Sequence, residues 1–196
     1  VSRLERGFYA RDTLIVAREV LGKRLVRRWN GQRIAGQIVE AEAYIGQEDQ
    51  ACHAARGRTA RNAVMFGPPG YAYVYFVYGM HHCFNVVTER EGLAAAVLIR
   101  ALQPLEGLDA MLQLREGRSG VVLTNGPAKL CYALAIDRAL NGTDLVAGQE
   151  LWIEQDQSIP DAAVETGPRI GVRGDARALT VPWRFWIKDN RYVSSK

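Results

Sequence analysis

Asn30-Gly31 divides two runs that read as β-strands, residues 23–29 before it and 32–44 after it. Asn-Gly in that setting is the strongest short-range hairpin signal, because both turn residues accept positive φ and the turn's twist matches the flanking strands. A chain that begins this way is committed to antiparallel pairing. Residues 71–78 and 83–88 read as a second hairpin around Gly79-Met80, and 94–102 is an almost unbroken apolar run, as a central buried strand would be. Further strands are expected at 151–154, 169–172 and 184–187. Helices are fewer. Asp12-Thr13 caps an apolar pattern that stops at Gly22, 105–116 reads as a helix, and Asn125-Gly126 caps another over 127–136. The fold class is therefore α+β with a mainly antiparallel sheet, and 196 residues suit a single domain, 1–196. The polar connection 46–70 is long for a compact domain, and such connections usually carry function.

Composition narrows the partners. Lys and Arg number 25 against 21 Asp and Glu, a net charge of +4, and most of those cations are arginines. A basic surface suits an anionic partner such as phosphate, though codon bias in a GC-rich genome gives the same composition. Hydrophobic residues at 48% and charged residues at 23% exclude a disordered tail. Cys52, Cys83 and Cys131 are widely spaced without a CxxC pair, which excludes a zinc ribbon, argues against a disulfide scaffold and fits a reducing compartment. No apolar stretch nears the roughly 20 residues that span a bilayer. The first six residues do not resemble a signal peptide, so an intracellular protein with no membrane partner is expected.

On the strand at 32–44, Val39, Ala41 and Ala43 should point one way and Glu40, Glu42 and Tyr44 the other. The two carboxylates then begin about 6.6–7 Å apart. Like charges that close are one way in which an acid or base is tuned for work near neutral pH. Solvated glutamates on an exposed face fit the pattern equally well. Arg100 shifts the balance, because an arginine in an apolar strand needs a carboxylate to offset its desolvation, and the Glu40/Glu42 face offers one. A purely structural ion pair fits that as well.

Four of the eight tyrosines fall within residues 71–78. Tyr71, Tyr73 and Tyr75 share a face, while Tyr78 breaks the parity at the turn. An aromatic core would use such a strand. So would a stacking platform for a flat ring, with a tip that pushes into something, as in proteins that distort duplex DNA or extrude a base. His53 follows the glutamate strand, with Arg56, Arg58 and Arg61 placed to meet phosphates. His81-His82-Cys83 lacks ligand geometry, since neighbouring strand residues point to opposite faces, and no metal is expected. Lys129, just inside the helix that opens at Pro127, could hold a phosphate together with backbone N–H groups.

Taken in order, these residues resemble the alkyladenine (3-methyladenine) DNA glycosylase family in its shorter bacterial form. The matching blocks are Val39-Glu40-Ala41-Glu42-Ala43-Tyr44, residues 49–53, 58–66, 73–85 and 98–102, Gly126-Pro127-Ala128-Lys129-Leu130, Arg169-Ile170-Gly171-Val172 and 183–194. They cover essentially the whole chain. Ala60 stands where a proline is usual, and His81-His82 where vertebrate members carry aromatics.

The resemblance implies a curved sheet with surrounding helices and a protruding tyrosine-bearing hairpin that enters the minor groove of double-stranded DNA containing damaged purines. It implies a monomer without cofactor, in the bacterial cytoplasm with the nucleoid. Tyr78, with Met80 beside it, would fill the gap left by a flipped nucleotide, and Lys129 would meet the DNA. Tyr44, His53 and Tyr75 would frame the extruded base, and Asn85 would sit where guanine bears its amino group. Glu42 would be general base on a water held also by Arg100 and the Ile170 main-chain carbonyl. The implied reaction is hydrolysis of the N-glycosidic bond of alkylated or deaminated purines, leaving an abasic site without strand cleavage. It is the opening step of base excision repair.

Two other functions use the same residues. A carbohydrate hydrolase would employ Glu40 and Glu42 as an acid/base pair, at a spacing that inverting chemistry permits. A non-catalytic nucleic-acid-binding module would keep Glu42 and Arg100 only as a buried pair.

Overall fold

The computed structural model describes residues 2–194. Helix α1 (Arg6–Tyr9) leads to α2 (Thr13–Glu19), which starts as its sequence predicts, with Asp12 Oδ1 accepting from the Leu14 and Ile15 N–H groups at 2.8 and 3.2 Å. Val16, Ala17 and Val20 turn into the core. Gly22 ends the run at φ +82°, where a Cβ would lie 2.8 Å from the Gln157 carbonyl oxygen, so both conformation and neighbours demand glycine.

Strands β1 (Arg24–Trp29) and β2 (Gln32–Ile45) flank Asn30-Gly31, both at positive φ. Then come β3 (Ala72–Val77), β4 (His81–Val87), β5 (Ala95–Glu106), α3 (Leu108–Leu114), α4 (Pro127–Ala133), β6 (Leu151–Glu154), β7 (Val164–Gly167), α5 (Ala176–Thr180) and β8 (Arg184–Ile187). The sheet runs β3-β4-β5-β2-β1-β6, with β8 paired to β2 and β7 to β8. Every pairing between these strands is antiparallel, so the α+β reading holds.

Three expectations fail for local reasons. β5 continues to Glu106, which pairs with Ala35 and is held by Arg24 and Arg33, each at 2.7 Å, so the helix expected from residue 105 begins at Leu108. Residues 169–172 are not a strand: Gly171 takes φ +70°, and the extended segment lies upstream as β7. The third failure is the parity of β2. Ile38 pairs with Leu102, Glu40 with Ala101 and Ala41 with Ile99, which leaves Val39 as an extra residue on β2 and Arg100 as one on β5. Ile38, Ala41 and Ala43 therefore share the core cluster, and Val39, though buried, lies outside it. Bulges re-aim side chains, and these two bracket Glu40 and place Arg100 against both glutamates.

The sheet has two different covers. One face meets α2 and α4 across a core that includes Val16, Ile38, Ile99 and Leu130. The other meets the connection 46–71, where Cys52, Ala54 and Met65 gather with Tyr73, Val87 and Ala96. That connection holds two 3-10 turns, His53–Arg56 and Ala63–Phe66, and Asn62 ties it together by donating to the His53 and Gly57 carbonyls, each at 2.9 Å. Tyr44, Tyr71, Tyr73 and Tyr75 lie under this second cover.

Candidate active site

A cleft of about 450 Å³ opens on the face covered by the connection. Tyr44, Tyr73, Tyr75, Asn85, Leu98 and Arg100 line it from four adjacent strands. His53 closes one side and residues 170–173 another.

Glu42 is fully buried behind this lining. Its Oε2 accepts from the Tyr44 hydroxyl at 2.8 Å, and its Oε1 from the Ile170 main-chain N–H at 2.7 Å. Arg100 Nη1 lies 3.3 Å from Oε1. An ionised carboxylate offers about four acceptor sites, so three donors leave room for a water. Burial, reinforced by the Glu42 charge, pushes the Tyr44 phenol well above its ordinary range, and it stays a donor at neutral pH.

Glu40, two residues earlier, is occupied differently. Its Oε1 accepts from Arg100 Nε at 3.0 Å, Arg184 Nη1 at 3.2 Å and the Ser194 hydroxyl at 2.9 Å, and its Oε2 accepts from the Ser194 N–H at 2.7 Å. Like Glu42 it is fully buried and absent from the cleft lining, so the number of donors it accepts is what separates the two. A carboxylate so saturated is a fixed counter-charge, which removes the acid/base pair that a carbohydrate hydrolase would need.

The rings assemble as the alternation suggests. His53 lies edge-on to Tyr75, with centroids 4.4 Å apart, and its Nδ1 is 2.9 Å from the Tyr73 hydroxyl. Loss of solvent, helped by the Arg61 charge, holds the His53 imidazole below its usual pKa, so it is neutral at pH 7. Burial pushes the Tyr75 phenol up. Asn85 is fixed by its Nδ2, which donates to the Tyr73 carbonyl at 3.1 Å. His81 lines the cleft whereas His82 lies against Phe76, as expected of adjacent strand residues.

Tyr78 and Met80 stand at the hairpin tip, 80% and 58% exposed. Tyr78 takes φ +53°, a strained conformation for a bulky residue, and it also borders the cleft. Lys129 falls outside the cleft wall, its Nζ donating to Asn125 Oδ1 at 2.8 Å, while Pro127 and Ala128 line it.

One arrangement escaped sequence reasoning. Buried Arg169 grips Asp49 through two bonds of 2.6 and 2.8 Å and donates to the Ala43 carbonyl at 3.0 Å. Its guanidinium lies 4.8 Å from the Tyr44 ring centroid. The clamp fixes the segment that brings the Ile170 N–H to Glu42. The partners are separated by 120 residues, and no spacing rule links them. Their only signal is that both stand in blocks that carry the family resemblance.

The family model for methylpurine-DNA glycosylases (MPG) matches residues 7–191. The chain belongs to the methylpurine-DNA glycosylase family. It is similar to a protein of Carboxydothermus hydrogenoformans named as a candidate 3-methyladenine DNA glycosylase, with 53% identity over 98% of this chain and 99% of that one. A Methanocella arvoryzae protein of the same name is 50% identical over 98% of this chain and 96% of its own, and one from Myxococcus xanthus is 49% identical over 97% and 93%. As a methylpurine-DNA glycosylase this protein is a hydrolase of base excision repair that acts on alkylated purines in DNA. Neither the sugar hydrolase nor the non-catalytic module survives that membership. No helix among the described residues is long and apolar enough to cross a membrane.

Proposed function

We propose that this methylpurine-DNA glycosylase acts as a monomer on duplex DNA, flips alkylated or deaminated purines of the 3-methyladenine and hypoxanthine class into the cleft, and hydrolyses their N-glycosidic bond with one activated water. The observation that carries this reading is the buried Glu42 carboxylate, oriented by Tyr44, Ile170 and Arg100 behind an aromatic cleft. The water sits between Glu42, Arg100 and the Ile170 main chain. Its oxygen bonds to the anomeric carbon as the bond to the base nitrogen breaks, the electron pair leaves with the base, and Glu42 takes the proton. The sugar becomes cation-like on the way, and the carboxylate stabilises that charge. An alkylated purine such as 3-methyladenine already carries positive charge, so it leaves neutral with little acid assistance.

Tyr44, Tyr75 and His53 surround the extruded ring, and electron-rich tyrosine faces favour a cationic one. Asn85 blocks the guanine amino group. Tyr78 and Met80 occupy the space vacated in the duplex, and Lys129 meets the DNA backbone. Hydrolysis by an activated water passes through no imine, so no strand cleavage follows it, and among the described residues no lysine lines the cleft.

Glu42→Gln preserves shape but cannot take the proton. Single-turnover release of free base from 3-methyladenine or hypoxanthine duplex should fall by about 100- to 10,000-fold, with lesion binding retained. Near wild-type release by this variant would remove Glu42 from the chemistry.

A further inference from the structure

β3 and β4 pair from Ala72↔Val86 out to Val77↔His81, but β5 supports β4 only at Asn85, Val86 and Val87. Beyond that point the hairpin projects as a two-stranded ribbon, and such a ribbon alone is at best marginally stable in water. Among the described residues, three side chains from elsewhere bond to its projecting main chain, and the one nearest its base is Asn141, whose Oδ1 accepts from the Val74 N–H at 3.0 Å. Arg61 Nη2 donates to the Phe76 carbonyl at 2.9 Å, and the Tyr132 hydroxyl donates to the Met80 carbonyl at 2.7 Å.

Tyr132 is well placed to act as a strut. It stands on α4 between the buried Cys131 and Ala133, and α4 also supplies Pro127 and Ala128 to the cleft wall. Its ring meets His81 edge-on with centroids 5.9 Å apart, and the Arg115 guanidinium lies 5.9 Å from the ring centroid. The carbonyl it grips lies two residues from Tyr78, across a turn in which Tyr78 and Gly79 both take positive φ. A tip with so strained a backbone and no third strand needs an external contact to hold one orientation.

We propose that Tyr132 is a positioning residue that braces the hairpin tip against α4, so that Tyr78 meets the duplex at the angle required to displace a nucleotide. It acts through Met80 and touches no reacting atom. The inference rests on the proposed role of Tyr78 as the filler of the vacated space.

The test uses Y132F, which keeps the ring and its His81 contact and removes only the hydroxyl. Single-turnover base release is measured on whichever of 3-methyladenine or hypoxanthine the wild type releases faster, once fully paired and once in an unpaired bubble. The same assays are run on Y78A and on the double variant. Loss of one neutral hydrogen bond predicts a roughly three- to tenfold slowing on paired DNA. Release from the bubble should be nearly unchanged, the melting temperature should hold, and Y132F should add nothing in the Y78A background, as for residues acting through one another. Wild-type rates on paired DNA, equal slowing on both substrates, or additive effects in the double variant would each overturn the brace. A wild-type protein that releases no base from either substrate instead refutes the enzymatic reading itself.

Discussion

Glu40 accepts from Arg100, Arg184 and both donors of Ser194, whereas Glu42 accepts from Tyr44, Ile170 and Arg100 and keeps a lone pair for a water. Glu40→Gln should therefore act on stability. It leaves buried Arg184 without its counter-charge and Arg100 with Glu42 alone, and breaking a buried pair costs about 3–5 kcal/mol, a range whose lower end applies because glutamine retains one acceptor oxygen. Urea unfolding measures that loss, and the folded fraction should turn over far better than Glu42→Gln. An excision defect larger than that of Glu42→Gln, with stability intact, would reverse the two assignments. At this scale the sequence is informative for side chains and silent for main chain. Glu42, Tyr44 and Arg100 are marked by alternation and by a lone cation in an apolar run. The Ile170 N–H carries no such mark, since any residue but proline can donate there, and the family resemblance points to this residue only through its carbonyl.

The two hairpins and the start of α2 follow from short-range chemistry at Asn30-Gly31, Gly79 and Asp12, so they are legible without a structure. The bulges at Val39 and Arg100 are not, because period-two alternation shows no sign of an extra residue until the partner strand is known. The clamp between Asp49 and Arg169 is hidden for the same kind of reason, as it joins elements far apart in sequence. Asp49→Asn should expose what the clamp does. It keeps the side-chain shape but leaves Arg169, whose side chain is wholly buried, without its counter-charge. The segment around Ile170 should then detach from β2 before the sheet itself opens. Amide exchange at Ile170 should accelerate by at least tenfold while the β2–β5 amides keep their protection, and excision should fall more than the unfolded fraction accounts for. Uniform acceleration across the sheet would make the clamp a general stabiliser with no special hold on the site.

Across the whole molecule the net charge of +4 suits an anionic partner, yet it does not reveal which cations are free. Arg24, Arg33, Arg100, Arg169 and Arg184 are all tied to carboxylates, while exposed Arg173 stands at the cleft mouth. The tied pairs set the response to acid. Hydrogen bonds from Arg33 hold the Glu106 and Glu154 carboxyls below their usual range and fasten β5 and β6 to the β1–β2 hairpin. Burial would raise Asp144, but hydrogen bonds from Arg6 and the Val146 N–H outweigh it and hold this carboxyl down as well. Each of these groups binds its proton more readily in the unfolded chain, so its stabilising contribution is complete above the ordinary carboxylate range, about pH 4, and disappears as pH falls through the lowered native values. His53 has the same sign at a higher pH. Its native pKa is depressed, so the unfolded chain protonates first and stability begins to decline near about pH 6.5. Urea midpoints measured against pH should thus show a plateau at neutrality, a shallow limb of at most one proton, and a steep limb below about pH 4. His53→Gln should remove the shallow limb alone. Arg33→Met should shrink the steep one, and added salt should shrink it further, since the Glu106 side chain is 36% exposed and its pairs are partly screened. A steep limb indifferent to Arg33→Met would mean that acid sensitivity arises elsewhere, with the surface pairs contributing geometry and little stability.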